Sequence, residues 1–310
     1  MPVDLPVIIG HEMVGRVLEL GPGAETDSVG QELKEGDRIV WTHTSCGACF
    51  HCTVTRQPAL CDNRRFYMYE TMAKPPYLMG GFSEYGYVLP DAGRIRVPDA
   101  VPNELATLAS CAFRSVMNAF DQLGRIASTE TVVVQGAGPL GLLATAVARD
   151  AGAAQVIVTG APRARLEMAE AFGADATISI EDTSAEDRVS EIRERTGGRG
   201  ADTVAEFTGV PNAMTEGLEM ARKGARYLMV GQVGAKETAL QPSLIVKKNL
   251  TIIGSFSGDS KSYWTALQFL KTHQDLPFAD MITNRYRLED VNTALERMRN
   301  YAEIKPVIVF

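Results

Sequence analysis

The sequence lacks a basic block, and its overall charge is acidic. Its 310 residues include 31 lysines and arginines against 38 aspartates and glutamates, which gives a net charge of −7. Proteins that bind nucleic acids need clustered positive charge to meet the phosphates. We therefore expect no nucleic-acid partner.

Long hydrophobic runs and an export signal are also missing. The apolar stretch from Ala137 to Ala148 contains glycine and proline, and it is shorter than the roughly 18 residues that span a bilayer. The N-terminal residues 1–10 have no basic start, long apolar stretch or cleavage site typical of a signal peptide. These absences predict a cytoplasmic protein without a membrane partner. With 45% apolar and 22% charged residues, a chain of this length predicts about two globular domains.

Cysteine is scarce, but its distribution is uneven. Four of the five cysteines follow the pattern Cys46-x2-Cys49-x2-Cys52-x8-Cys61. Without an export signal, such a cluster favours metal ligation over disulfides, and four thiolates suit a closed tetrahedral zinc site. A closed site leaves no position for a substrate, so its role would be structural. An iron–sulfur cluster and four reduced thiols remain as alternatives.

The pattern of the sequence changes between its two halves. Residues 1–113 are rich in glycine and proline and contain β-like runs at 13–20, 38–42 and 82–89. From Thr131 onward, strands alternate with helices, which is typical of a parallel α/β sheet. The predicted strands are 131–135, 155–159, 176–178, 202–207, 226–230 and 250–254, and the predicted helices are 140–151, 163–172, 185–196 and 212–222. Beyond residue 258 we expect two helices and a last strand over 306–310.

A glycine-rich loop directly follows the first strand of the α/β region. Gly136, Gly138 and Gly141 form G-x-G-x-x-G between the strand TVVVQ and a helix, with Pro139 and Leu140 inside the motif. In this context the glycines allow a tight turn, a close approach to a pyrophosphate, and close packing of helix on strand. The motif predicts a dinucleotide site; a tight turn without a ligand is the alternative.

The second strand of this region lacks the carboxylate that would bind the ribose 2′-hydroxyl of NAD. No Asp or Glu occurs between Asp150 and Glu167. The strand instead ends at Gly160 and is followed by Arg163 and Arg165, which can pair with a 2′-phosphate. This favours NADP over NAD, although an arginine in the first turn of a helix is often only solvated.

Several motifs together resemble the zinc-dependent medium-chain alcohol dehydrogenases. In the family's order they are Gly10-His11-Glu12 with Gly15, Gly36-Asp37-Arg38-Ile39-Val40, the four-cysteine lobe, Gly80-Gly81-Phe82-Ser83-Glu84-Tyr85, the loop Gly136 to Gly141, and Phe207-Thr208-Gly209. The resemblance implies an α/β protein with a GroES-like, β-rich catalytic domain and a Rossmann domain with a doubly wound parallel sheet. The first domain would cover 1–113 with the zinc lobe at 46–61, would be incomplete at its N-terminus, and would be completed by 259–310. The Rossmann domain would cover 114–258.

The resemblance also implies the residues of a catalytic site. His11, Glu12 and Cys111 match ligands of a catalytic zinc, and Ser115 matches a small hydroxyl residue near the nicotinamide. Taken alone, His11 could be a hydrogen-bonded core histidine and Cys111 a buried apolar residue. Four residues follow the fourth and fifth predicted strands, at the edge where such sheets bind ligands, and we expect them to border the nicotinamide: Thr208, Gly209, Gly231 and Val233.

Two features depart from the family pattern. The last spacing of the cysteine lobe is x8 where the family usually has x7. Family members also carry a segment before Gly-His-Glu with the first cysteine ligand and a Ser or Thr that relays the alcohol proton, whereas here His11 follows only ten residues. Met1 is therefore either an internal residue of a longer protein or the natural start. His43 and His51 are candidates for a substitute relay only by exclusion, and neither is taken as catalytic.

The activity implied by the resemblance is hydride transfer between an alcohol, or the matching aldehyde or ketone, and NADP or NAD. Zinc acts as the Lewis acid. A cofactor-binding protein with structural zinc but no catalysis is the main alternative, and a zinc-independent quinone or enone reductase is another. Family members pair through the last Rossmann strand, here 250–254, which predicts a homodimer or homotetramer. The sequence does not identify the alcohol.

Overall fold

The computed structural model of the protein describes residues 3–234 and 236–310. Whether Met1 is the natural start is a question that falls outside these residues. The chain divides into two compact units, one of Met1–Met117 with Ser257–Phe310 and one of Asn118–Phe256. No helix in the described ranges has the length and apolarity required to cross a membrane.

The elements alternate most regularly in the second unit. The strands are β1 (Gly15–Arg16), β2 (Arg38–Thr44), β3 (Ala92–Arg96), β4 (Thr131–Gln135), β5 (Gln155–Gly160), β6 (Ala176–Ser179), β7 (Ala201–Glu206), β8 (Ala221–Met229), β9 (Thr251–Gly254), β10 (Arg285–Tyr286) and β11 (Val307–Ile308). The helices are α1 (Phe50–Thr53), α2 (Asn103–Ser110), α3 (Ala112–Leu123), α4 (Pro139–Asp150), α5 (Arg163–Ala171), α6 (Ala185–Arg195), α7 (Pro211–Met220), α8 (Pro242–Lys248), α9 (Ser260–Thr272) and α10 (Val291–Arg299).

The second unit is built on a six-stranded parallel sheet with the order β6-β5-β4-β7-β8-β9. Its central strands are runs of β-branched residues, such as Val132 to Val134, which are fully buried. A strand buried on both faces is expected in a parallel sheet covered by helices. The order reverses between β4 and β7, the position at which such sheets bind ligands. The predicted doubly wound sheet is confirmed.

The first unit contains a three-stranded antiparallel sheet, β1-β2-β3. Gly15 pairs with Ile39, and Val40 pairs with Ile95. The sheet packs on a buried cluster that includes Trp41 and Tyr67. In the C-terminal part of this unit, β10 and β11 form a parallel pair. Helix α9 contacts both β2 and β3, so the tail packs with the N-terminal part of the chain, as expected.

Two predicted strands are wrong in whole or in part. Residues 82–89 form no strand, and of 13–20 only Gly15–Arg16 does. The backbone donors of residues 82–89 do not pair within a sheet. Phe82 N–H donates to Ile9 O (2.9 Å), and Leu89 N–H donates to the Tyr67 hydroxyl (2.9 Å). Both acceptors lie outside strands, so the β-like run has no strand partner in the described chain.

Glu303 in the C-terminal tail should contribute acid-sensitive stability. Its Oε1 accepts hydrogen bonds from Asn284, Tyr286 and Arg297 at 2.7–2.8 Å. Burial raises the pKa of this carboxyl, but the hydrogen bonds outweigh burial and lower the pKa from 4.5 to about 2. Because the pKa is depressed in the folded state, this stability is present above pH 4.5 and is lost as the pH falls toward 2.

We therefore expect Glu303→Gln to lower the free energy of unfolding by about 3 kcal/mol at neutral pH. The difference from the unsubstituted protein should shrink below pH 4.5. Urea unfolding at a series of pH values measures this. Glu296→Gln, on the exposed surface of α10, is the control and should show little change. An equal loss at every pH would contradict the assignment.

Candidate metal centres and cofactor loop

The four cysteines of the lobe converge after β2. The Sγ atoms of Cys46, Cys49, Cys52 and Cys61 all lie within 4.8 Å of one another, and the cysteines form no disulfides. The short helix α1 carries Cys52, and a 3-10 turn at Pro58–Leu60 leads into Cys61. The added residue in the last spacing is therefore accommodated without separating the thiols.

N–H groups donate hydrogen bonds to sulfurs of this cluster. Cys46 N–H donates to Cys61 Sγ and Cys49 N–H to Cys46 Sγ, both at 3.3 Å. The hydrogen bond from Asn63 and those from the N–H groups of Ala48 and Cys49 lower the pKa of Cys46 to about 6. Thiolates supported by N–H donors are the form that binds zinc. The donor set fits a closed four-thiolate site.

A second group of ligand atoms is formed by His11, Glu12 and Cys111. Their ligand atoms lie within 4.8 Å of one another, and His11 Nε2 is 3.0 Å from Cys111 Sγ. The three residues differ in type, and all are partly exposed to solvent. A histidine, a thiolate and a carboxylate with one side open can hold a zinc ion and leave a position for another ligand. The residues therefore fit a catalytic metal.

The local backbone structure positions the segments that carry Cys111 and His11. Cys111 lies at the junction between α2 and α3, with φ −144° and ψ −67° outside the helical region. The segment that carries His11 is held by Gly81 N–H, which donates to Gly10 O (2.8 Å), and by the bond from Phe82 to Ile9. The motif Gly80-Gly81-Phe82 thus supports the motif Gly-His-Glu.

Burial and nearby charges set the protonation state of His11 and of its neighbours. Burial, with the positive charges of Arg114 and Lys305, lowers the pKa of His11 to about 4. The imidazole is thus neutral near pH 7, as a metal ligand must be. Its Nδ1 lies 3.2 Å from Met68 Sδ. Glu12 Oε2 is ion-paired with Lys305 Nζ. Burial lowers the pKa of Lys305, and the touching carboxylate opposes this and favours the charged pair.

Ser115 and His43 lie close to this group in different ways. Ser115 is buried in α3, and its hydroxyl donates to Cys111 O at 2.8 Å. His43 lies buried in β2, with its ring centroid 6.1 Å from that of His11. Its Nδ1 accepts from Tyr67 N–H. Burial, with Arg114 and Arg64, lowers its pKa to about 2.

The glycine-rich loop lies between β4 and α4, as predicted. A Cβ added at Gly141 would lie 1.8 Å from Gly136 O, so only glycine allows the helix to pack this closely on the loop. Gly138 is the N-cap of α4, and Pro139 is its first residue. Leu140 is half-buried in the first turn. The free N–H groups of this turn can receive an anion.

The end of β5 places the two arginines differently. Gly160 is buried at the last position of the strand. Arg163 opens α5 and is highly exposed, paired with Glu167 at 3.2 Å. Arg165 is buried in the same helix. Of the two, only Arg163 is open to an added phosphate.

Glu206 organises the loops after β7 and β8 and was missed by the sequence analysis. Its fully buried carboxylate accepts on Oε1 from Thr208 N–H, Thr208 Oγ1 and Gly209 N–H at 2.6–2.8 Å. Its Oε2 accepts from Gly231 N–H at 3.2 Å. Val233 beyond the second loop is 75% exposed. The sequence does contain a signal for this role, which is an acidic residue at the end of a buried strand.

Comparison with known proteins gives matches over both halves of the chain. The family model "Alcohol dehydrogenase GroES-like domain" matches residues 1–99, and the model "Zinc-binding dehydrogenase" matches residues 139–272. A 5-exo-hydroxycamphor dehydrogenase from Pseudomonas putida is 38% identical over 99% of this chain and 84% of its own length. An L-threonine 3-dehydrogenase from Pyrococcus horikoshii is 34% identical over 95% of this chain and 79% of its own.

A solved structure shows the same fold. The crystal structure of an alcohol dehydrogenase from Thermotoga maritima matches with a TM-score of 0.93 and 35% identity, covering 99% of this chain and 84% of that one. The β-rich first unit therefore corresponds to a GroES-like domain and the parallel sheet to a Rossmann-like domain. The chain belongs to the zinc-dependent medium-chain alcohol dehydrogenase family.

Proposed function

We propose that the protein is a zinc-dependent alcohol dehydrogenase that transfers a hydride between an alcohol and NADP or NAD. The main observation in support is the group of His11, Glu12 and Cys111, whose ligand atoms lie within 4.8 Å of one another. A zinc ion held there would act as a Lewis acid toward the alcohol oxygen. The cysteine lobe would hold a second, structural zinc.

The residues around the group have definite tasks in this proposal. His11 is kept neutral by burial and can donate its ring nitrogen lone pair to a cation. Lys305 holds one oxygen of Glu12, which limits how far that carboxylate can move. Ser115 anchors the carbonyl of Cys111, and its hydroxyl would lie near the nicotinamide.

Cofactor binding is assigned to the second unit. The loop Gly136 to Gly141, with Pro139 and Leu140, would receive the pyrophosphate at the start of α4. Thr208, Gly209, Gly231 and Val233 would border the nicotinamide half. Gly160, Arg163 and Arg165 would lie at the adenosine ribose, where the absence of a carboxylate between Asp150 and Glu167 favours NADP.

Arg163→Ser should reduce the preference for NADP over NAD. A charge-assisted contact to a 2′-phosphate contributes about 1.5–3 kcal/mol, so the ratio of kcat/KM values should fall roughly 10- to 100-fold. Arg195→Ser, an exposed arginine near the end of α6 with the same i,i+4 type of pair to a glutamate, is the control. A ratio that Arg163→Ser leaves unchanged would contradict the assignment.

Reduction of NADP or NAD at 340 nm by a panel of alcohols tests the function. The substrates named for the relatives, 5-exo-hydroxycamphor and L-threonine, are both secondary alcohols and serve as first probes. Turnover that disappears on metal removal and returns with zinc supports the proposal. Turnover without metal would indicate a zinc-independent reductase. Cofactor binding with no turnover on any alcohol would favour the non-catalytic alternative.

We propose that subunits associate through the edge of the parallel sheet to form an oligomer. Strand β9 pairs with β8 on one side only within the described chain, and its residues are partly exposed. Pairing of two β9 edges would extend the sheet across a homodimer, of which a homotetramer could contain two. A monomer in light scattering would refute this.

A further inference from the structure

Arg114 is a cation buried beside the candidate catalytic site. The residue is 3% exposed, and no carboxylate lies within ion-pair distance of it in the described ranges. Its Nη1 donates to Ser257 Oγ and to Gly258 O (3.4 Å), and its Nε has no acceptor. An unpaired buried charge is costly, so its position calls for a partner that carries negative charge.

The remaining contact of this guanidinium is with a sulfur. Nη2 donates to Cys111 Sγ at 3.8 Å. That sulfur also lies 3.0 Å from His11 Nε2 and belongs to the candidate metal ligands. When Cys111 binds a metal it is a thiolate, and it then supplies the missing negative charge.

The guanidinium is held in this position by one segment of the chain. Arg114 Cζ lies 5.4 Å from the ring centroid of Tyr263, which is fully buried. A Cβ added at Gly258 would lie 3.2 Å from Arg114 Cδ and from Arg114 O, so the backbone there packs directly against the arginine. Together with Ser257 on Nη1, these contacts hold the side chain with Nη2 directed toward the sulfur.

We propose that Arg114 is a positioning residue that donates an N–H···S hydrogen bond to the Cys111 thiolate and withdraws charge from it. The thiolate then gives less charge to the metal, which stays a stronger Lewis acid. A hydrogen bond donated to a thiolate stabilises its negative charge, and hydrogen bonds to a cysteine sulfur tune metal centres. The inference rests on the proposed function, because it needs a metal at His11, Glu12 and Cys111.

Arg64 offers a matched comparison. Its Nη2 donates to the same carbonyl, Gly258 O, at 3.2 Å, and its guanidinium faces the ring of Phe66 at 5.1 Å. It is half-buried, and its Nε likewise has no acceptor. It makes no hydrogen bond to Cys111. Removing Arg64 changes the charge and packing nearby but leaves the N–H···S bond in place.

Cobalt(II) in place of zinc in the full chain provides the readout, because a cobalt-bound thiolate gives a sulfur-to-metal charge-transfer absorption. Cobalt in the cysteine lobe also absorbs. For each protein compared, we therefore subtract the spectrum of the version that also carries Cys111→Ser. The lobe contributes equally to both spectra, so the difference contains only the band that depends on Cys111. We expect Arg114→Met to shift this band to longer wavelength, because a thiolate without its donor gives up charge more easily. Arg64→Met should leave the band in place.

Further outcomes decide the proposal. With zinc, Arg114→Met should lower kcat by about 10- to 100-fold. If this variant does not fold, Arg114→Gln, which keeps a polar side chain without the charge, should shift the band in the same direction. An unmoved band in the variant that folds, or an equal shift in Arg64→Met, overturns the proposal while the proposed function stands. A wild-type protein with no Cys111-dependent band overturns both.

Discussion

Cys111→Ser should reduce the zinc content of the purified chain from two ions to one and remove dehydrogenase activity. Cys111 is the one thiolate of the candidate catalytic group, and its loss leaves a histidine and a carboxylate that is already paired with Lys305. Two such ligands hold zinc poorly. Because a Lewis acid supplies several kcal/mol to the reaction, the rate should fall by about 10³-fold or more. Plasma mass spectrometry and the 340 nm assay measure both quantities.

Cys46→Ser is the reciprocal variant, since it removes a ligand of the cysteine lobe. It should also lower zinc to one ion per chain, but the ion that stays would be the one proposed at His11, Glu12 and Cys111, and the main effect should be on stability. Structural zinc contributes directly to folding. A wild-type protein with one zinc, unchanged by Cys111→Ser and lost in Cys46→Ser, would show that the lobe alone binds metal.

The parts of the fold that were predictable from sequence are those set by local rules. Gly141 must be glycine because a Cβ there would lie 1.8 Å from Gly136 O, so the loop motif is a direct consequence of packing. The apolar strands β4 and β5 form continuous buried runs that only a covered parallel sheet accommodates. Both features can be recognised in a short window of sequence.

The parts that were not predictable depend on contacts between distant positions. Lys305 meets Glu12 from near the other end of the chain, and Arg114 meets Ser257 across 143 positions of sequence. Residues 82–89 form a β-like run in sequence, but their donors pair with Ile9 and Tyr67. Nothing in the local pattern of any of these residues identifies its partner, so they emerge only from the folded chain.

Glu206→Ala should weaken cofactor binding although the carboxylate is buried within the sheet. Its two oxygens accept four hydrogen bonds, three from Thr208 and Gly209 and one from Gly231. Removing the carboxylate takes the acceptor away from all four bonds, and because Glu206 is fully buried it also opens a cavity. We expect a loss of roughly 3–5 kcal/mol in the free energy of unfolding. The two loops would then no longer be held together, and the KM for the cofactor should rise about 10-fold or more.

The interpretation depends on separating loop order from general stability. Glu216→Gln weakens the largely buried ion pair with Arg188, whose N···O distance is 2.7 Å, and should therefore also destabilise the second unit. It touches neither loop, so the cofactor KM should stay near that of the unsubstituted protein. If Glu216→Gln raised this KM as much as Glu206→Ala, stability alone would explain the effect. If only Glu206→Ala raises it, the buried carboxylate acts by fixing the two loops that the proposed nicotinamide site requires.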